Sequence, residues 1–252
     1  MIRYFLITLI IFAFVSHAAL ADDHAADPGE MVTLNLCTLN SGNTLADVEK
    51  FQNSWIKWAK SRDIDLFNEI LTPLMINTSG TPTLDFIELS VTSYADGGRM
   101  WADWNETKKG QKMAQQWSEM ANCSARVNHL VTKYQDPDAD TNDRSRVVTF
   151  TRCEIHDGVT GDDMRAVHQR GIDRRSDTAT NMFWGLLLPR AGGDDARNVF
   201  RHANVYSDMQ SYVAQLATHS QRAQMIRDYN QRYAQSDKPT IWASNVLSLQ
   251  ED

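Results

Sequence analysis

An internal repeat constrains the fold of this chain more than any other feature of its sequence. One segment aligns with a later one at an offset of 116 residues, through the pairs Cys37/Cys153, Gly42/Gly158, Thr44/Thr160 and Asp47/Asp163. Further along, the offset falls to 112, through the pairs Tyr94/Tyr206, Asp96/Asp208, Met113/Met225 and Trp117/Tyr229. A period of this length is too long for a solenoid repeat and matches a duplicated small domain.

Both copies show the same order of hydrophobic patterns, β-α-β-β-α-β. In the first copy, strand patterns at 32–39, 70–76, 84–92 and 126–132 surround helical patterns that begin at Leu45 and Asp96. In the second copy, strand patterns cover 147–155, 182–189, 198–206 and 240–249, and helical patterns cover 164–175 and 209–234. Two such split units predict an α+β fold made of tandem ferredoxin-like repeats.

The first 21 residues are typical of a secretory signal peptide. Arg3 is their only charge, an apolar run covers 4–15, and Ala19 and Ala21 form a small-x-small cleavage site. The alternative is a retained membrane anchor, but the run is shorter than the ~20 residues that span a bilayer. We expect a periplasmic or secreted protein with no stable membrane insertion after cleavage. The predicted order is signal peptide 1–21, linker 22–30, repeat 31–135, acidic linker 136–146 and repeat 147–252.

The residues that the two copies share have a structural explanation. Thr44 and Thr160 stand where helix N-caps belong, and Asp47 and Asp163 follow three residues later, as a capping box requires. Asp96 and Asp208 precede the later helices and are expected to cap them.

Charge and missing motifs exclude several function classes. The chain has 25 Lys and Arg against 32 Asp and Glu, a net charge of -7, which argues against nucleic-acid binding. It lacks Cys-x-x-Cys, His-Glu-x-x-His, Gly-x-Ser-x-Gly and the glycine-rich phosphate-binding motifs. Thiol-redox, zinc-protease, hydrolase and nucleotide-binding functions lose their usual support, and no metal site is predicted.

The tandem pattern resembles the dimeric α/β-barrel superfamily, in which two ferredoxin-like units pack together as an α/β barrel or sandwich. The Cys-x-x-x-x-Gly-x-Thr-x-x-Asp start at Cys37 and the sequence Asn122-Cys123-Ser124 are similar to an uncharacterised group of secreted bacterial proteins. The superfamily includes monooxygenases, isomerase-like enzymes and haem enzymes such as chlorite dismutase. Fold does not fix function, so no catalytic residue is carried over. The haem-ligand region of chlorite dismutases is not matched, so we expect no cofactor, with haem as the alternative.

The three cysteines allow more than one pairing. In a ferredoxin-like unit the first and fourth strands are neighbours, which places Cys37 beside Cys123. In an oxidising compartment these two are expected to form a disulfide. The competing pair is Cys37 with Cys153, and otherwise Cys153 is a buried small hydrophobe or an intermolecular link.

Strand alternation nominates a candidate site in the space between the two sheets. Ile87, Leu89 and Val91 suit the helix side, which leaves Glu88, Ser90 and Thr92 toward the interior, and by alignment also Phe200, His202 and Asn204. Weak candidates for acid-base catalysis are Glu88, His129 and His202, and candidate pocket residues are Asn204, Trp184 and Trp242. The alternative is that these are satisfied structural polar groups.

Two further groups of residues are open to more than one interpretation. At helical spacing, core packing is favoured over ligand stacking for Trp55, Trp58, Trp104 and Trp117. A basic run is either a solvated helix face or a site for an anionic ligand, and it comprises Arg165, His168, Arg170, Arg174 and Arg175.

We therefore favour a non-catalytic protein that binds a small, partly apolar molecule or a partner. The alternative is a small-molecule enzyme of the monooxygenase or isomerase type. A homo-oligomer is compatible with either hypothesis.

Overall fold

A computed structural model describes residues 29–76, 84–140, 143–175, 179–193 and 197–249. The predicted signal peptide, 1–21, lies outside the described residues. The first repeat contains β1 (Glu30–Leu39), α1 (Leu45–Lys60), β2 (Phe67–Met75), β3 (Phe86–Ser93), α2 (Tyr94–Glu106), α3 (Lys108–Met120) and β4 (Ala121–Gln135). The second contains β5 (Ser145–Ile155), α4 (Gly161–Asp173), β6 (Asn181–Ala191), β7 (Val199–Tyr206), α5 (Met209–Ala217), α6 (His219–Arg232), β8 (Ala234–Ser236) and β9 (Thr240–Ser248).

The strands form one closed antiparallel barrel. Each repeat contributes four strands in the order fourth, first, third, second, which gives β4-β1-β3-β2 and β9-β5-β7-β6. Pairing of β4 with β6 and of β2 with β9 joins the two sets, and the short β8 pairs with the end of β5. The predicted fold of tandem ferredoxin-like repeats is confirmed, in its barrel form.

Two capping boxes begin the first helix of each repeat, as predicted. The Thr44 hydroxyl accepts a bond from the Asp47 amide, and the Asp47 carboxylate accepts one from the Thr44 amide at 2.9 Å. Thr160 and Asp163 repeat this arrangement, with the returning bond at 3.0 Å. The bonds from Thr44 and Thr160 lower the pKa of the Asp47 and Asp163 carboxyls. The shared residues therefore fix helix starts.

The later helices begin in two different ways. Asp208 caps α5 as predicted, because its carboxylate accepts the Ser211 amide at 2.6 Å. The prediction for Asp96 is wrong, since Ser93 caps α2 by accepting the Asp96 amide at 3.0 Å. Asp96 itself lies in the first turn, where its negative charge interacts favourably with the helix dipole.

In the described residues, no helix is both long and apolar enough to cross a membrane.

The barrel interior is filled with apolar side chains from all eight strands. They form one buried cluster that comprises Val32, Leu34, Leu71, Ile87, Leu89, Leu130, Val148, Phe150, Leu187, Ala203 and Trp242. The predicted orientation of β3 is therefore inverted, since Ile87 and Leu89 point into the barrel and Glu88 points toward the helices. Alternation of side chains distinguishes the two faces of a strand but does not show which face is inside the barrel. In this barrel the aliphatic face of β3 points into the enclosed interior.

The predicted disulfide between Cys37 and Cys123 is present. These residues are direct partners in the register of β1 with β4, and their Cα atoms lie 4.1 Å apart. Cys153 is buried and free. The pairing follows from strand order, because the first and fourth strands of a ferredoxin-like unit are neighbours.

Candidate functional site

Each repeat encloses a pocket between the outer face of its strands and its helices. The first-repeat pocket is a cavity of about 610 Å³. Its walls are aromatic, and they include Phe51, Trp55, Trp101, Trp104 and Trp117. Its polar lining from β1 and β3 comprises Thr33, Asn35, Glu88 and Ser90. An apolar pocket with a few convergent polar groups is typical of small-molecule sites.

Glu88 is the acidic group of the first-repeat pocket. It is 2% exposed and accepts bonds from the side-chain amides of Asn35 and Asn68, both at 2.6 Å. Burial raises the pKa of the Glu88 carboxyl to about 7, although the two amides act in the opposite direction. A carboxyl with a pKa in this range can accept and return a proton near neutral pH.

Two other side chains of this pocket each carry a polar atom without a hydrogen-bond partner among the described residues. Thr33 Oγ1 and Gln52 Oε1 are buried, and neither forms a hydrogen bond within the described part of the chain. Both residues line the cavity. Buried polar atoms without partners cost free energy. A bound molecule with its own polar group would satisfy them.

The second-repeat pocket lies between β5–β7 and the helices α4, α5 and α6. It consists of two cavities, of about 720 and 410 Å³, that adjoin through shared lining residues. The shared residues include Gly171, Arg174, Trp184, Asn204 and Met225. His168 and His202 line the smaller cavity.

A chain of hydrogen-bonding groups runs through the second-repeat pocket. Trp184 Nε1 donates to His202 Nδ1 at 2.9 Å, so a neutral His202 carries its proton on Nε2. That nitrogen faces the Tyr229 hydroxyl at 3.3 Å, which in turn lies 3.4 Å from His168 Nε2. Burial lowers the pKa of His202 to about 4 and of His168 to about 3. Both imidazoles are therefore neutral at physiological pH.

The two pockets occupy equivalent positions in the duplicated fold but differ in chemistry. At the offsets of the sequence repeat, Gln52 corresponds to His168, Ser90 to His202 and Trp117 to Tyr229. An amide, a hydroxyl and an indole in the first repeat thus stand where the second has two imidazoles and a phenol. The repeats share a backbone plan and not a set of reactive groups.

The sequence-predicted site residues do not form one constellation. Glu88 lies in the first-repeat pocket, while His202, Trp184 and Asn204 lie in the second. His129 lines neither, and its Nδ1 lies 3.0 Å from the Tyr94 hydroxyl.

Trp242 lies in neither pocket, because it packs inside the barrel. Its indole Nε1 donates to Thr240 Oγ1 at 3.0 Å. The predicted core tryptophans do pack together, although three of them also line the first-repeat pocket, namely Trp55, Trp104 and Trp117.

The basic run that begins on α4 and continues just beyond its end divides between the interior and the surface. His168 is 4% exposed, so a fully solvated face is the wrong interpretation for this residue. Arg175 stacks on Tyr134 at 3.5 Å and binds the Asn181 side chain at 2.7 Å. His168 follows the buried Met164 by four residues, a helical spacing that could have placed it in the core.

No protein-family model and no curated protein sequence matches the chain. Solved structures do match its fold. A candidate monooxygenase from Fusobacterium nucleatum is 9% identical, with 89% of this chain and 95% of that chain covered and a TM-score of 0.55. A candidate monooxygenase from Lactobacillus acidophilus is 11% identical, with coverages of 88% and 96% and a TM-score of 0.51. A dye-decolorizing peroxidase from Bacteroides thetaiotaomicron is 10% identical, with coverages of 89% and 95% and a TM-score of 0.56.

These comparisons correct the expectation that no cofactor is involved. Dye-decolorizing peroxidases and chlorite dismutases bind haem, and proteins of both kinds share this fold. The expectation rested on the absence of a sequence motif. At sequence identities near 10%, the absence of a motif does not show whether a ligand-binding residue lies at the same place in the fold. The chain therefore has the fold of the dimeric α/β-barrel superfamily, whose members include candidate monooxygenases and haem-binding enzymes.

Proposed function

We propose that this chain is a small-molecule enzyme whose first-repeat pocket binds a flat, partly apolar molecule and whose Glu88 transfers a proton to or from it. The observation that carries this proposal is the position of Glu88, a buried carboxyl with a pKa of about 7 in the lining of an aromatic-walled cavity. The sequence alone favours a non-catalytic protein, whereas the position of Glu88 favours an enzyme.

The residues around Glu88 have complementary roles. The indole and phenyl walls offer flat apolar surfaces, and Thr33 and Gln52 offer unused polar atoms to a polar group of the substrate. Asn35 and Asn68 each donate to one Glu88 carboxylate oxygen, which fixes the orientation of that group. As a general base, Glu88 would remove a proton from carbon beside a carbonyl, and as an acid it would return that proton at another position.

The proposed location is an oxidising compartment outside the cytoplasm. The leader-like first 21 residues support it. The Cys37–Cys123 disulfide is also compatible with it.

The test uses 2-tetralone, a flat ketone with exchangeable hydrogens beside its carbonyl. We expect the protein to accelerate hydrogen-deuterium exchange at that carbon, measured by NMR, with a rate that rises with pH around a midpoint of about 7. Glu88→Gln should abolish the acceleration, while quenching of tryptophan fluorescence shows that the ketone still binds.

Glu69→Gln is the matched control, because Glu69 is an equally buried carboxyl outside the pocket. It should leave the exchange rate unchanged. Failure of 2-tetralone to bind, or equal exchange rates in the wild type and Glu88→Gln, would contradict the proposal.

A second candidate function is haem binding in the second-repeat pocket. Haem iron takes a neutral imidazole nitrogen, and His168 is buried, neutral and next to ample space. Its contact with the Tyr229 hydroxyl, at 3.4 Å, is longer than a normal hydrogen bond, so Nε2 is only weakly engaged. His168 would hold the iron, with Trp184 and Met225 as apolar wall and Arg174 for the haem carboxylates. When bound, haem would supply redox chemistry.

Titration with hemin tests this candidate. We expect a Soret band that saturates in the wild type and is lost in His168→Ala. His129→Ala is the control, because His129 lines neither pocket and its removal should leave the band intact. A spectrum that is the same for all three proteins would reject haem ligation by His168.

A further inference from the structure

A further cavity lies at one end of the barrel and is rich in arginine. This barrel-mouth cavity has a volume of about 210 Å³, and its lining includes Arg126, Asn128, Pro189, Arg190, Arg197 and Val199. Among the lining residues that the structure describes, three are arginines and none is acidic.

The strand register shows that this cavity belongs to the barrel interior. In the pairing of β1 with β4, Asn128 is opposite Val32 and Arg126 is opposite Leu34. Val32 and Leu34 belong to the apolar cluster inside the barrel. Residues opposite each other on paired strands share a face. Arg126 and Asn128 therefore point inward, where the apolar core gives way to polar groups.

Asn128 is the most unusual polar residue of this cavity. It is 2% exposed, and its Nδ2 atom is buried without a hydrogen-bond partner in the residues that the structure describes. Nδ2 can only donate, and an arginine side chain also only donates and keeps its charge at all physiological pH values. The Asn128 Nδ2 atom therefore calls for an acceptor, and the arginines of the cavity favour one with negative charge.

The backbone holds the wall of the cavity close to β4. Gly192 follows β6 with a φ of +77°, and a Cβ atom there would lie 2.1 Å from the Ala125 carbonyl oxygen. Only glycine permits this approach. The segment that carries Arg190 is thereby fixed over the end of the barrel.

We propose that the barrel-mouth cavity binds one small oxyanion, either a carboxylate or an inorganic phosphate or sulfate. Arginine pairs with such groups through parallel hydrogen bonds, and the Asn128 amide supplies a further donor from the floor. The cavity volume suits a single oxyanion group rather than a large organic molecule. This site is separate from both helix-side pockets and does not depend on the function proposed for them.

The test measures anion binding to the full chain at constant ionic strength. Sodium phosphate, sulfate and succinate are titrated by calorimetry and by thermal unfolding, with chloride as the reference salt. We expect saturable binding, weakened about tenfold by Arg190→Gln and by Arg197→Gln, because each removes a charged donor. Arg232→Gln makes the same charge change on α6 and should leave the affinity unchanged.

Asn128→Leu provides a second measurement. It removes the unpartnered donor, and we expect the folded protein to lose oxyanion affinity without losing thermal stability. If Asn128→Leu does not fold, Arg190→Gln and Arg197→Gln still test the proposal. Binding of phosphate or sulfate would indicate a free inorganic anion, and binding of succinate alone a carboxylate ligand. Equal, non-saturating shifts with every salt in every variant would overturn the proposal.

Discussion

Asn68 and Glu69 are neighbours on β2, yet they bind partners on opposite sides of the barrel wall. Asn68 donates to Glu88 in the first-repeat pocket at 2.6 Å, whereas Glu69 accepts a bond from Ser244 on β9. Burial raises the pKa of both Glu69 and Glu88 to about 7. One short segment of strand therefore connects two buried carboxyls that titrate near neutral pH.

This arrangement predicts that each of the two carboxyls makes a contribution to stability that is lost as the pH rises toward neutrality. A carboxyl with a folded pKa of about 7 and an unfolded value of 4.5 holds its proton more tightly in the native state. Each carboxyl therefore stabilises the native state by about 3 kcal/mol below about pH 4.5, and this stabilisation is lost by about pH 7. The buried imidazoles of His168 and His202 act in the opposite direction over this range, because burial lowers their pKa values. Urea unfolding should therefore show that the stability of Glu69→Gln, relative to the wild type, increases as the pH rises from about 4.5 to about 7. A difference between the two proteins that does not change with pH in this window would contradict the burial of Glu69.

Thr33→Val should raise the stability of the free protein and weaken ligand binding. The Thr33 hydroxyl is buried and has no partner in the described ranges of the chain, so a methyl group in its place removes a cost of about 1 kcal/mol. The control is Thr240→Val, whose hydroxyl donates to the Phe150 carbonyl at 3.3 Å and accepts from Trp242. Thr240→Val should lower the free energy of unfolding by a similar amount, measured by chemical denaturation. Equal destabilisation by both would show that Thr33 is satisfied in the free protein.

Two helical glycines should respond to alanine in opposite ways. At Gly110 a Cβ atom would lie 2.3 Å from the Asp103 carbonyl oxygen, so Gly110→Ala must separate α3 from α2, at a cost of about 1–3 kcal/mol. A Cβ atom at Gly98 would have no neighbouring atom of the described residues within 4 Å, so alanine should stabilise α2 by up to about 1 kcal/mol. Thermal unfolding of the two variants measures both effects. A neutral Gly110→Ala would argue against the close packing of these helices.

Removal of the disulfide should destabilise the protein by about 2–5 kcal/mol. Urea unfolding of the double variant Cys37→Ala/Cys123→Ala tests this. The control is Cys153→Ala, which removes one cysteine and keeps the disulfide. Burial raises the pKa of the Cys153 thiol to about 11, so this thiol should react with a maleimide only after unfolding. Labelling of two or more cysteines in the native, unreduced protein would contradict the pairing.

Some of this arrangement follows directly from local sequence signals. Thr44 and Asp47 are spaced as a capping box wherever the helix lies, and the partners of Cys37 follow from strand order. The face of β3 does not follow, because the alternation of Ile87 and Glu88 is the same for either side. Asn68 carries no signal at all, since its role depends on a carboxyl 20 residues away in sequence.

The closed barrel also bears on how the two pockets came to differ. A barrel made of two identical chains carries the same pocket twice, so every mutation appears in both. Here β4–β6 and β2–β9 pairing joins two halves of one polypeptide, and each half left alone would expose two unpaired sheet edges. Fusion of the halves thus removes the symmetry that ties one pocket to the other. Gln52 and His168 stand at equivalent positions of the repeat and are free to evolve toward different ligands.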